Sequence, residues 1–87
     1  MNNDIKNFKK RLIYRSQYRG TKEMDKLIGS FVKANINQFS LKQLKELEKF
    51  LSIDDDILYR FYNNQIENLK DISKELISIY KKHRYKK

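Results

Sequence analysis

RLIYRSQYRGTKEMD, residues 11–25, decides the fold of this chain. Arg11, Arg15 and Arg19 recur every four residues, and so do Tyr14 and Tyr18, which is the spacing of side chains stacked along one side of a helix. Ser16, Gln17 and Gly20 then lower helix propensity together. Beyond the break, Met24, Leu27, Ile28 and Phe31 resume an apolar stripe at helical spacing. The segment therefore predicts a helix entering, a turn centred on Arg19-Gly20-Thr21-Lys22-Glu23, and a second helix leaving.

Working outward toward the N-terminus, Asp4 can cap the first helix, whose apolar positions are Ile5, Phe8 and Leu12 with Ile13 widening the stripe. Lys6, Lys9, Lys10 and Arg11 fall mostly on other faces, where a solvated role suffices. A basic amphipathic start also resembles a mitochondrial transit peptide, but Asp4 is unusual for one and no linker separates it from the central segment. Toward the C-terminus, Asn35 to Ser40 reads as a turn anchored by Ile36 and Phe39. Ser40-Leu41-Lys42-Gln43 has the form of a capping box, opening a third helix striped by Leu41, Leu44, Leu47, Phe50 and Leu51. Asp54, Asp55 and Asp56 lack the alternation, glycine and distal glutamate of a calcium loop, and read instead as the start of a fourth helix carrying Ile57, Leu58, Phe61 and Tyr62. Asn63 and Asn64 end it. A fifth helix is predicted from about Ile66 or Leu69 through Ile72, Leu76, Ile79 and Tyr80.

No stretch alternates with period two, so the expected class is all-α: a compact bundle of five short helices, with residues 1–87 as a single domain and the tail 83–87 disordered. Most aromatics sit on helical stripes and belong to the core. Tyr14, Tyr18, Tyr59 and Tyr85 are left for the surface, and His83 is expected to be solvated.

Composition narrows the chemistry. A chain of 87 residues buries only about 60 to 65% of its unfolded surface and has a thin core. The absence of cysteine excludes disulfides and thiolate metal sites, and one histidine cannot build a zinc site alone. The chain is expected inside the cell, without membrane insertion, because no apolar run approaches the roughly 18 residues of a span. There is no Gly-rich phosphate loop, nucleophile elbow or HExxH pattern, and Glu23 and Asp25 lie two apart, pointing to different sides of a helix. No catalytic, cofactor-binding or metal-ligating residue is assigned, and an independent enzyme is not expected. The net charge of +9 is concentrated at both ends: residues 1–33 carry nine basic and three acidic residues, 34–66 four and five, and 67–87 seven and three. Such ends attract nucleic acid, anionic lipid or an acidic protein surface alike.

The motif itself has two readings. Gly20 before a helix, with Glu23 in its first turn answering exposed backbone N–H groups, is ordinary helix punctuation, and Arg19 and Glu23 are spaced to pair. Alternatively, an exposed glycine permits close approach by a partner backbone, and Arg19 offers forked hydrogen bonds across an interface.

The order Leu12-x-Tyr14-Arg15-Ser16-x-x-Arg19-Gly20-x-x-Glu23-x-Asp25 resembles the signature of the SdhE-type succinate dehydrogenase assembly factors. The similarity extends through the apolar Leu27–Phe31 stripe, Phe50-Leu51, Asp54-Asp55, Leu58 and Phe61, about two-thirds of the chain. The resemblance implies a five-helix domain, bacterial and cytoplasmic or else of the mitochondrial matrix, monomeric when free. It implies binding to the apo flavoprotein subunit of succinate dehydrogenase, in some cases of fumarate reductase, and promotion of covalent FAD attachment to that partner, with no FAD stably bound by the chain itself. It implies that Arg19, Gly20 and Glu23, with Asp25 after them, face the partner. The departures from the family pattern are Tyr18 for a common basic residue, Thr21 for the usual methionine and Asp56 for a frequent proline.

The competing class is a small basic nucleic-acid-binding domain, suited by the charge and the surface tyrosines. Leu44 and Leu47 with Glu46 and Glu48 make the third helix a poor reader of base edges. Binding of DNA or RNA is accordingly expected to be weak, independent of sequence and steeply lost as salt rises, checked by a salt titration. Tight binding to one sequence at physiological salt would favour the competing class.

Overall fold

The computed structural model describes residues 2–84, with the side chains of residues 2 and 3 left aside, and contains five α-helices and no strand among them. They are α1 (Asn2–Gln17), α2 (Lys22–Asn35), α3 (Leu41–Leu51), α4 (Asp55–Tyr62) and α5 (Lys74–Lys82), with a single 3-10 turn at Ile36–Gln38 joining α2 to α3. The all-α class and the helix count agree with the sequence reading. Several boundaries do not.

Helix starts follow the local chemistry. Thr21, in extended conformation, accepts from the Met24 N–H at 3.2 Å and begins α2, so Gly20 lies one residue outside the helix. The predicted capping box at α3 is complete: Ser40 Oγ accepts from the Gln43 N–H at 3.3 Å while Gln43 Oε1 accepts from the Ser40 N–H at 2.8 Å. Asp4 does not cap α1; it lies within the first turn, where its charge favours the helix dipole. Ser16 is no break either. It is fully buried inside α1, and its hydroxyl donates to the Ile13 carbonyl at 2.6 Å, an arrangement helices tolerate.

The largest correction concerns α5, which starts at Lys74, with Ser73 Oγ accepting from the Leu76 N–H at 3.2 Å. Asn64 and Asp71 both occupy left-handed conformations, φ 63° and 62°, which no helix can contain. Ile66, Leu69 and Ile72 recur every three residues because each pins an irregular segment to the core: Leu69 is buried and the other two pack against the same cluster. Glu46 on α3 holds the end of that segment, accepting from the Ser73 N–H at 3.1 Å and from its hydroxyl.

The core joins all five helices through Leu12, Leu27, Ile28, Phe31, Leu44, Leu47, Phe50, Leu58, Phe61 and Tyr80, every one of them essentially inaccessible. Tyr80 is the meeting point. Its ring lies 5.2 Å from Phe31, 4.9 Å from Phe50, 6.3 Å from Phe61 and 5.3 Å from Tyr62, and its hydroxyl donates to the Leu58 carbonyl at 2.8 Å. Lys81 beside it donates to the Phe61 carbonyl at 2.7 Å, answering the negative end of α4. Three stripe residues stay partly outside: Ile5, Leu41 and Ile57 are exposed.

His83 departs from the solvated state expected of it. It is half-buried against the Phe31 ring at 5.9 Å, its Nε2 lies 2.8 Å from Ser30 Oγ, and its carbonyl accepts from the Tyr62 hydroxyl at 2.5 Å. Residues 85–87 of the predicted disordered tail, Tyr85 included, lie outside the described residues. Burial, aided by the neighbouring Arg84 charge, lowers the His83 pKa below its usual 6.5. The folded state thus prefers the neutral ring. The resulting stability is whole above about pH 6.5 and is lost as pH falls through the lower folded value. Urea midpoints measured across this range are expected to fall on the acid side in the wild type and to fall less in His83→Gln; identical pH profiles would remove His83 from the acid response.

Candidate functional site

The central turn is built by interactions that run outside it. Arg19 follows the last turn of α1, and its guanidinium crosses to the α3–α4 connection. Nε donates to Asp55 Oδ1 at 2.7 Å, one terminal nitrogen to the Leu51 carbonyl at 2.6 Å and the other to the Ile53 carbonyl at 2.9 Å. Leu51 ends α3, so its carbonyl is one of those a helix leaves without an internal partner, and the cation suits that negative end. Only 9% of the Arg19 side chain is exposed. The forked chemistry anticipated for an interface is directed inward, and its carboxylate is Asp55.

Asp25 is engaged in the same way. Its Oδ1 accepts from the Arg19 backbone N–H at 2.6 Å, while its own N–H donates to the Thr21 carbonyl at 2.9 Å, folding residues 19–25 into a closed hook. Gly20 is the exposed apex, at φ +129°, a conformation that L side chains rarely adopt. A Cβ built there would lie 3.8 Å from Asp55 Oδ2. Glu23 is half-buried in the first turn of α2, beside a hollow of about 460 Å³ that it shares with Thr21, Met24, Asp55, Asp56 and Tyr59. Of the four residues singled out from sequence, Arg19 and Asp25 tie the turn together, whereas Gly20 and Glu23 lie at its surface.

Sequence reasoning missed Asp55. The aspartate run was read as helix-starting chemistry, and that holds for position alone: Asp54 occupies the N-cap without a side-chain capping bond, and Asp55 and Asp56 fall in the first turn. That Asp55 also neutralises a cation 36 residues away carries no local signal. On the other side of Arg19, Tyr14 and Tyr18 are 64% and 68% exposed with ring centroids 4.6 Å apart. They border a second hollow of about 650 Å³, which reaches to Asp54. Among the described residues no three His, Cys, Asp or Glu side chains are grouped to hold a metal ion, and no helix is long and apolar enough to cross a membrane.

This closed hook lies within residues 10–84, which match the family model described as "Flavinator of succinate dehydrogenase". The chain belongs to that family. It is 28% identical over 80 residues to the mitochondrial succinate dehydrogenase assembly factor 2 of Dictyostelium discoideum, covering 92% of this chain and 57% of that relative. It is 40% identical over 47 residues to the FAD assembly factor SdhE of Acetobacter pasteurianus, covering 54% of this chain and 43% of that relative. The chain thus spans about half the length of these curated relatives. No solved structure matches it.

Replacing Arg19 by alanine in this flavinator-family chain leaves the Asp55 carboxylate and two carbonyls without their shared donor. A loss of about 3 kcal/mol is expected, read as a shift in the urea unfolding midpoint. Arg19→Lys should recover little of it, since an ammonium cannot reproduce the planar fork. Wild-type stability in Arg19→Ala would show that the clamp contributes nothing to the fold.

Proposed function

We propose that the chain binds the apo flavoprotein subunit of succinate dehydrogenase and promotes covalent attachment of FAD to it. The observation that carries this reading is the family match over residues 10–84, which contains the hook at residues 19–25. The chain acts on an enzyme rather than as one, and the new bond forms in the partner, where the FAD resides. A fumarate reductase flavoprotein is a second client of the same chemistry. The free chain is a monomer of the bacterial cytoplasm or mitochondrial matrix.

The contact surface is the hook. Gly20 offers backbone with no side chain in the way, and Glu23 adds a carboxylate beside it. Arg19 and Asp25 serve the contact from behind by holding the turn in its exposed geometry, so that little ordering remains to be done on binding. On this reading two of the four residues make the contact and two hold it in place. The nucleic-acid reading is the weaker one, because the hollow beside the hook, lined by Asp54, Asp55 and Asp56 against Arg15 and Arg19, has a net negative charge that does not favour phosphate.

The test is covalent flavin on a co-expressed flavoprotein subunit, read as fluorescence on a denaturing gel, in a host lacking its own assembly factor. Gly20→Arg is expected to abolish the signal. Because of the positive φ, any L residue at this position carries a backbone cost of about 1 to 3 kcal/mol, so melting temperature is measured alongside. Gly20→Ala shares that cost and adds only a methyl, and should retain part of the activity. Full flavinylation by a folded Gly20→Arg chain would take the hook out of the mechanism.

A further inference from the structure

The surface next to the hook has a composition that the hook does not explain. Tyr14 and Tyr18 sit one turn apart on α1, both well exposed, with their rings inclined at 38° and in contact. Paired in this way, they are ordered before any partner arrives, and a tyrosine has few rotatable bonds to immobilise. An exposed aromatic pair of this kind adds nothing to the core, whose ring cluster is centred on Tyr80. The rings form one wall of the 650 Å³ hollow; the opposite wall is the start of α4.

Three carboxylates, Asp54, Asp55 and Asp56, and two guanidiniums, Arg15 and Arg19, line this hollow, a net charge of one negative. Arg19 is neutralised by Asp55. Arg15, itself part of the lining, donates to Ser52 at 3.2 Å and lies 3.9 Å from Glu48, and Asp56 lies 3.7 Å from Arg60. Asp54 caps no backbone N–H with its side chain and is in no ion pair among the described residues. What remains is two aromatic faces and an uncommitted carboxylate bordering one hollow large enough for a long side chain.

We propose that this hollow receives a lysine or arginine side chain from the flavoprotein partner, its charge directed to Asp54 and its stem or guanidinium lying on the Tyr14 and Tyr18 rings. The cation–π attraction and the carboxylate favour the same ligand, and both repel an acidic one. This site rests on the reading given under Proposed function and extends it: the hook supplies backbone contact, and the tyrosine pair supplies the anchor beside it. Tyr14 and Tyr18 are then specificity residues that select flavoproteins presenting a cation at this place.

The test is binding of purified apo flavoprotein subunit to the fluorescently labelled chain, with flavinylation followed in parallel. The double variant Tyr14→Ala, Tyr18→Ala is expected to weaken binding about tenfold or more, while Tyr14→Phe, Tyr18→Phe, which keeps both rings, stays within about threefold. Asp54→Lys should weaken binding at least as much as the alanine pair, and Asp54→Asn should flatten the salt dependence. All these side chains are exposed, and unchanged melting confirms that folding is not the cause. Wild-type affinity in the double alanine variant, or equal loss in the phenylalanine variant, overturns the site while leaving Proposed function intact. A wild-type chain that neither binds nor flavinylates the subunit overturns both. Capture of a single-stranded oligonucleotide through the same two rings, with the flavoprotein unaffected by their loss, would assign the surface to nucleic acid.

Discussion

One guanidinium holds the hook at residues 19–25 against the α3–α4 connection. Arg19 follows α1, yet its three side-chain bonds are to Leu51 at the end of α3, to Ile53 in the connection after it and to Asp55, the first residue of α4. Two interhelix connections that are distant in sequence are thereby fastened to one another. A cation in this position satisfies helix-end carbonyls that would otherwise face a largely buried space, and its charge is balanced by a carboxylate that also favours the start of the next helix. Remove that cation and both connections lose their reason to lie together. The exposed glycine beside it has its shape by consequence: the backbone on one side is fixed by Asp25 and the clamp, and on the other by the Thr21 cap.

The exposed face of the hook therefore depends on buried chemistry more than its motif suggests. On the proposed reading, a partner meeting Gly20 meets a turn whose conformation is already decided, so recognition does not have to supply the entropy of ordering it. The same geometry separates the residues exposed on the hook from those that hold it. Arg19 and Asp25 belong to the second group by geometry, and their loss acts first on the shape of the hook.

Most of the helical architecture was legible in the sequence because it rests on local rules. The α3 stripe and the Ser40–Gln43 capping box depend on residues within a turn or two of each other; the box is complete, and of the stripe Leu44, Leu47, Phe50 and Leu51 are buried while Leu41, in the first turn, is exposed. The tyrosines Tyr14, Tyr18 and Tyr59 were assigned to the surface because they lie off the apolar stripes, and they are exposed. Where the reading failed, tertiary contacts had overruled local pattern. Ile66, Leu69 and Ile72 have helical spacing but pin an irregular segment containing two left-handed residues. Ser16 has poor helix propensity but is buried in mid-contact, its hydroxyl satisfied by its own helix. Asp55 was indistinguishable from its neighbours until Arg19 was seen to reach it. His83 was judged by the charge of the residues around it, whereas Ser30 and Phe31, more than fifty positions earlier, draw it in.

The place of Tyr80 at the centre of the core has a consequence for the order in which the molecule is made. Phe31, Phe50 and Phe61 are contributed by α2, α3 and α4, but the ring that packs among all three arrives only with α5. Without α5 those three phenylalanines lack the ring that packs among them, and the Leu58 carbonyl lacks its hydroxyl donor. The aromatic interior is therefore complete only once α5 is present.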